Sequence, residues 1–261
     1  MLKKFVLGTI AAVVLAACGG EGSNSASSAP VQSGAASGSL IERINNKGTI
    51  TVGTEGTYAP FTYHDKDGKL TGYDVEVTRA VADKLGIKVE FKETQWDSMM
   101  AGLKAGRFDV VANQVGLTSP ERQATFDKSE PYSWSGAVLV ARKDSNIKSI
   151  DDIKGVKTAQ SLTSNYGEKA KAAGAELVPV DGLAQSLTLI EQKRADATLN
   201  DELAVLDYLK KNPNAGVKIV WSAPADEKVV AKFSTAINEL KADGTLKKLG
   251  EQFFGKDISV K

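Results

Sequence analysis

The chain has 261 residues, with 33 Lys and Arg against 32 Asp and Glu, one histidine and one cysteine. Balanced charge offers no basic face for nucleic acid, and a single cysteine excludes an intramolecular disulfide. The length allows one or two domains.

Met1-Leu2-Lys3-Lys4 precedes an uncharged apolar run, Phe5 to Ala17, that ends in Leu15-Ala16-Ala17-Cys18. A basic start, a short apolar core and small residues at its end form an export signal over residues 1–17. The run falls short of the roughly 20 apolar residues that span a bilayer. Leu-Ala-Ala-Cys resembles the lipobox of bacterial lipoproteins, which implies that Cys18 is acylated and becomes the mature N-terminus. A buried core thiol is the other reading, and the flanking residues argue against it. Losing Lys3 and Lys4 with the signal leaves the bases one short of the 32 acids. Residues 18–39 are rich in Gly, Ala and Ser with Glu21 as their one charge, a composition that reads as a flexible tether.

Beyond the tether, Thr49 to Gly53 alternates and is β-branched, so it is expected to be a strand. Phe61 to Tyr63 and Lys69 to Thr71 flank an Asp-Gly turn and read as a hairpin. An EF-hand loop from Asp65 fails where Lys69 and Leu70 replace an acidic ligand and the turn glycine. His64 is placed in this turn, exposed. Asp74 is expected to cap a helix to Leu85 that buries Val77, Val81 and Leu85, and Gly86 ends it. Val89 to Phe91 is a strand, Trp96 to Ala105 a helix with Trp96, Met100 and Leu103 inward, and Phe108 to Val111 a strand. Strand and helix alternate, which predicts an α/β lobe.

Gly136 to Arg142 begins a second series. Strands are expected at Val156–Ala159, Leu177–Val180, Ala197–Leu199 and Val217–Val220. Helices are expected at Ser164–Ala173, Leu183–Lys193, Glu202–Lys211, Val229–Ala242 and Leu246–Phe254. Lys210-Lys211 and Lys247-Lys248 read as solvated faces. Two α/β lobes with a cleft between them follow, with lobe 1 at 40–138 plus 229–261 and lobe 2 at 139–228.

Several segments carry a resemblance. Glu55-Gly56-Thr57-Tyr58-Ala59-Pro60-Phe61, Asp67 to Asp74, Trp96 to Leu103, Gly106-Arg107-Phe108-Asp109, Thr118-Ser119-Pro120-Glu121-Arg122, Ser129 to Tyr132, Arg194 to Asp201, Gly244-Thr245-Leu246 and Phe253-Phe254-Gly255 stand in an order similar to that of the polar amino-acid solute-binding proteins of ABC importers. Trp96-Asp97 and Asn113-Gln114-Val115 followed by Thr118 are most similar to cystine- and cysteine-binding members. The resemblance implies a two-lobed, type II periplasmic-binding-protein fold. It also implies an amino-acid ligand, an ABC permease as partner, a monomer, and an exported, lipid-anchored location facing the periplasm or the cell exterior. No cofactor and no metal are implied.

It further implies the ligand-binding set Tyr58, Phe61, Trp96, Asn113, Gly116, Thr118, Arg122, Thr163, Ser164 and Asp201. Arg122 offers a planar fork of donors that suits a carboxylate, although a surface ion pair fits its residue type equally. Ser161-Leu162-Thr163-Ser164 stands where the family more often has Gly-Thr-Thr or Gly-Thr-Ser, before a helix whose free N–H groups attract anions; an ordinary N-cap fits as well. Asp201 matches the carboxylate for the ligand ammonium, or serves as an N-cap. Tyr58 and Trp96 read as pocket walls, and Phe61 as either wall or core. Arg122→Ala is expected to abolish binding and leave the melting temperature of the ligand-free protein almost unchanged.

One departure stands out. The family's apolar strand after the position of Trp221, half of the hinge, has no counterpart, because residues 222–228 run straight into a helical period. Those residues reach about 25 Å when extended, enough to cross between lobes with little left to pair. The second hinge strand is therefore expected to be missing and the second crossover weakened or altered. A receptor is the first functional reading. An enzyme on the same scaffold lacks a cleft histidine, a thiol nucleophile and a Gly-x-Ser-x-Gly motif; an amino-acid sensor or adhesin is a third reading.

Overall fold

The computed structural model describes residues 39–116, 119–223, 227–228 and 234–260. The signal, Cys18 and nearly all of the tether lie outside them, as do Thr118 and Val229–Phe233. Ser39, placed in the tether, is already structural: it N-caps α1 (Leu40–Lys47) in a capping box with Glu42.

The first half builds one small parallel sheet. β1 (Thr49–Thr54) is buried on both faces, as a central parallel strand requires. The hairpin region holds β2 (Thr57–Tyr58), β3 (Thr62–His64) and β4 (Leu70–Thr71), paired antiparallel. α2 (Tyr73–Leu85) follows, then β5 (Lys88–Glu93), α3 (Trp96–Lys104), β6 (Val110–Val111) and the short α4 (Pro120–Thr125). The sheet order is β5-β1-β6.

Three local expectations are corrected here. Asp74 does not cap α2; Gly72 does, at φ 124°, where a Cβ would lie 2.3 Å from the Phe61 carbonyl oxygen. The chain folds back so tightly there that Tyr73 and Asp74 donate their N–H groups to Pro60 and Phe61. Leu85 ends α2 exposed rather than buried. In α3 Met99 is the fully buried methionine, while Met100 and Leu103 pack at the margin of that cluster.

β7 (Trp134–Ser135) leads into the second half. β8 (Ala137–Arg142), β9 (Lys157–Gln160), β10 (Glu176–Pro179), β11 (Ala197–Asp201) and β12 (Val217–Ser222) form a five-stranded sheet in the order β10-β9-β11-β8-β12. Its helices are α5 (Asn165–Ala172), α6 (Leu183–Glu191) and α7 (Glu202–Lys211). A 3-10 turn at Ile150–Ile153 had no periodic signal to announce it. β9, β10 and β11 run parallel, whereas β8 pairs antiparallel with both β11 and β12.

The second hinge strand exists, contrary to expectation, in abbreviated form. β13 (Glu227–Lys228) pairs antiparallel with β7, Glu227 opposite Ser135 and Lys228 opposite Trp134. Polar residues hid it, because a two-residue ladder needs neither an apolar run nor alternation. α8 (Ser234–Ala242) and α9 (Thr245–Phe254) then pack on α2, which returns the chain to the first sheet's side.

Candidate functional site

Between the two sheets lies a small polar cavity of about 50 Å³. Glu55, Tyr58, Trp96, Asn113 and Gln114 wall it from one side, and Gln160, Ser161, Ser164, Asn165, Ser186 and Asn200 from the other. Most of these residues stand at the ends of parallel strands or the starts of helices, where α/β sheets collect ligands.

Tyr58 closes across the gap: its hydroxyl donates to Asn200 Oδ1 at 2.7 Å. Burial, with Asp201, Glu55 and Asp74 nearby, pushes its pKa up, so it remains a neutral donor. Trp96, 8% exposed, heads α3 and carries the Arg122 guanidinium 5.3 Å from its ring centroid. Asn113 braces Glu55 from both sides. Its Oδ1 accepts from the Glu55 N–H at 2.8 Å, and its Nδ2 donates to Glu55 Oε2 at 2.6 Å. Burial raises the Glu55 pKa to about 7, against the lowering pull of the Asn113 bond.

Arg122 is buried one layer behind the cavity rather than on its wall. It donates to the Gly116 carbonyl at 3.0 Å and to the Thr163 carbonyl at 2.6 Å, so one guanidinium ties both halves. Gly116 thus meets Arg122 through its backbone. Thr163 is gripped a second time. Asp97, at the start of α3, accepts from the Thr163 N–H at 3.0 Å, the Thr163 hydroxyl at 2.7 Å and the Leu162 N–H at 3.3 Å. Ser164 lines the cavity and N-caps α5, accepting from Gly167 N–H.

Two of the expected ligand residues stand behind the cavity wall rather than on it. Phe61 is fully buried and stacks with Tyr58 and Phe254, so it belongs to the core beneath the site. Asp201 is also fully buried and does not line the cavity. Its Oδ1 caps α7 by accepting from the Leu203 and Ala204 N–H groups, and its Oδ2 lies 3.4 Å from Gln114 Nε2. Burial raises its pKa to about 6 despite those bonds.

Gln114, which entered above only through the Asn113-Gln114-Val115 resemblance and not as a ligand residue, is the hub. Its backbone sits at φ 47° and its N–H donates to Asp74. Its side chain reaches Asp201 and accepts from the Ser133 hydroxyl. Its role shows in the structure as a polar residue held at positive φ beside a strand end. Glu55 and Asp97 likewise stand in segments that carry the resemblance, with no contact assigned to either there. His64 is half-exposed, 3.2 Å from Glu93. Lys211 does more than face solvent: besides pairing with Asp207 it sits 5.3 Å from the Tyr63 ring centroid, across the gap.

A family model described as bacterial extracellular solute-binding proteins, family 3, matches residues 50–256. A probable amino-acid ABC transporter-binding protein of Haemophilus influenzae is 54% identical over 85% of this chain and 91% of its own. The L-cystine-binding protein TcyA of Bacillus subtilis is 50% identical over 99% and 98%. Among solved structures, the L-cystine solute receptor of Neisseria gonorrhoeae, unliganded and open, is 91% identical over 86% of this chain and all of its own, with a TM-score of 0.56. An ancestral arginine-binding protein bound to arginine is only 37% identical over 80% and 99%, yet its TM-score is 0.74. Higher identity with poorer superposition means that the halves are arranged differently here from the open receptor. The contacts of Tyr58, Asp97, Arg122 and Gln114 across the gap agree with a closed arrangement.

Proposed function

Because the chain belongs to the bacterial extracellular solute-binding proteins, family 3, we propose that it is the exported receptor of an amino-acid ABC importer, with L-cystine the favoured ligand and cysteine the alternative. The family is exported, and among the described residues no helix is long and apolar enough to cross a membrane. Acylated Cys18 supplies the anchor in this reading, the receptor acts as a monomer, and residues 40–138 plus 229–261 close on residues 139–228.

One observation carries the reading: a polar cavity between two sheets, with a buried guanidinium behind one wall residue, Trp96, and a buried carboxylate behind another, Gln114. The ligand carboxylate takes over the Arg122 fork from the carbonyls of Gly116 and Thr163, because a bidentate ionic pair is roughly twice as strong as a neutral one. Thr118 and Ser164 complete its shell. The ligand ammonium is drawn to Asp201, and Tyr58 and Trp96 enclose the side chain. Binding both halves at once favours the closed form by differential contact. Three or four charge-assisted bonds of about 1.5–3 kcal/mol each suffice for micromolar affinity, about −8 kcal/mol, after ordering costs.

Calorimetric titration of the mature protein against every common amino acid and L-cystine tests this. Saturable 1:1 binding with L-cystine tightest is expected. Absence of binding to any of them removes the receptor assignment.

A further inference from the structure

The cavity is too small for a two-headed ligand. At roughly 10–15 Å³ per water-sized site, 50 Å³ holds only a few non-hydrogen atoms. One amino-acid head fits with modest side-chain movement; two joined through a disulfide do not. A larger groove of about 430 Å³ lies directly outside, and Glu55, Gly182 and Leu183 line both spaces. These three residues are therefore a doorway, not a wall.

We propose that this groove is a subsite for the distal amino-acid half of L-cystine, whose proximal half occupies the cavity, with Glu55 at the doorway receiving the distal ammonium. The proposal rests on the receptor reading above. The groove is made by both halves of the molecule, Thr57, Glu93 and Thr94 on one side and Asp181, Ala184 and Gln185 on the other, so its width depends on closure. Every charged residue that lines it is a carboxylate: Glu55, Glu93 and Asp181. Such a field suits an ammonium and disfavours a second bare anion. Glu55 is pre-set for the task, since Asn113 fixes its Oε2 and aims the carboxylate at the junction. A single-headed ligand of similar sulfur chemistry uses the cavity alone.

The test compares L-cystine with S-methyl-L-cysteine on the wild-type protein and on Ala184→Trp, a change at an exposed helical position that fills the groove without touching the cavity. Unchanged thermal melting verifies that the variant is folded. Affinity for L-cystine should fall at least about tenfold in the variant, while that for S-methyl-L-cysteine stays within about twofold. Gln185→Trp should do the same. Equal losses for both ligands, or no loss for either, overturn the subsite. Wild-type protein that binds S-methyl-L-cysteine as tightly as L-cystine overturns the subsite alone. Wild-type protein that binds neither overturns the receptor reading with it.

Discussion

Replacing Arg122 by alanine probes both the ligand and the fold, and the structure changes what the second effect should be. On the ligand side, the fork offers two charge-assisted bonds to a carboxylate. At about 1.5–3 kcal/mol each, their loss weakens binding by about two to four decades. On the fold side, the guanidinium already serves the ligand-free protein. It satisfies Gly116, which is buried, and Thr163, which is exposed enough for water to replace it. It also stacks on Trp96. One orphaned buried carbonyl costs about 1–3 kcal/mol, and the lost cation–π contact about 0.5–2 kcal/mol. Each kcal/mol lowers Tm by about 2–4 °C in a protein of this size. The variant should therefore melt several degrees lower even without ligand, whereas residue type alone suggested no change. Calorimetric titration with L-cystine and a thermal melt read the two effects separately. Arg122→Lys should recover part of the stability and little of the affinity, because a point charge cannot make the planar pair. An Arg122→Ala protein that binds within threefold of wild type would refute the reasoning.

Other outcomes follow from the same geometry. Asp97→Ala removes three bonds to Leu162 and Thr163 and should weaken L-cystine by about fivefold and enlarge the ligand-free protein in solution scattering; unchanged affinity and radius would show that this clasp contributes nothing. Phe61→Ala should cost about 3–5 kcal/mol in denaturant unfolding as a core deletion, and Phe61→Leu should leave affinity within about threefold, since Phe61 is beneath the cavity; a large affinity loss in the leucine variant would return it to the binding surface. Burial raises Glu55 and Asp74 to about 7 and Asp201 to about 6, so in the ligand-free protein their stabilisation is full below pH 4 and is lost as pH rises through 6–7. The ligand-free Tm should thus be higher at pH 5.5 than at pH 8, and Asp74→Asn should flatten that slope. The two ammonium groups of L-cystine act in the opposite sense on Asp201 and Glu55: they favour the charged forms, so binding near pH 6.5 should release protons, visible as a dependence of binding heat on buffer ionisation.

The sequence exposed the scaffold well where local chemistry and tertiary role coincide. β1 is β-branched apart from Gly53, and β8 is apolar up to its terminal Arg142, because both faces are covered. Leu183, Leu187 and Ile190 lie on one face of α6 and are buried there. Legibility failed where a residue's role is set by a distant partner. Asp74 stands where a cap would stand, yet the backbone reversal over Phe61 gives that place to Gly72 and leaves Asp74 to hold Gln114. Asp201 carried both of its readings in the Asn-Asp-Glu string, and in the ligand-free protein it caps α7. β13 escaped notice because two backbone hydrogen-bonding residues need no side-chain signature. Asp97 and Gln114 each reach a partner across the gap between the sheets, Thr163 and Asp201, and such a pairing depends on how the two halves are arranged.

A crystal structure of the protein with L-cystine tests the central claim most directly. The account predicts one ligand carboxylate on the Arg122 fork in place of the Thr163 carbonyl, its ammonium near Asp201, and the far ammonium at Glu55. A ligand bound elsewhere, with the bond from Arg122 to Thr163 intact, would contradict it.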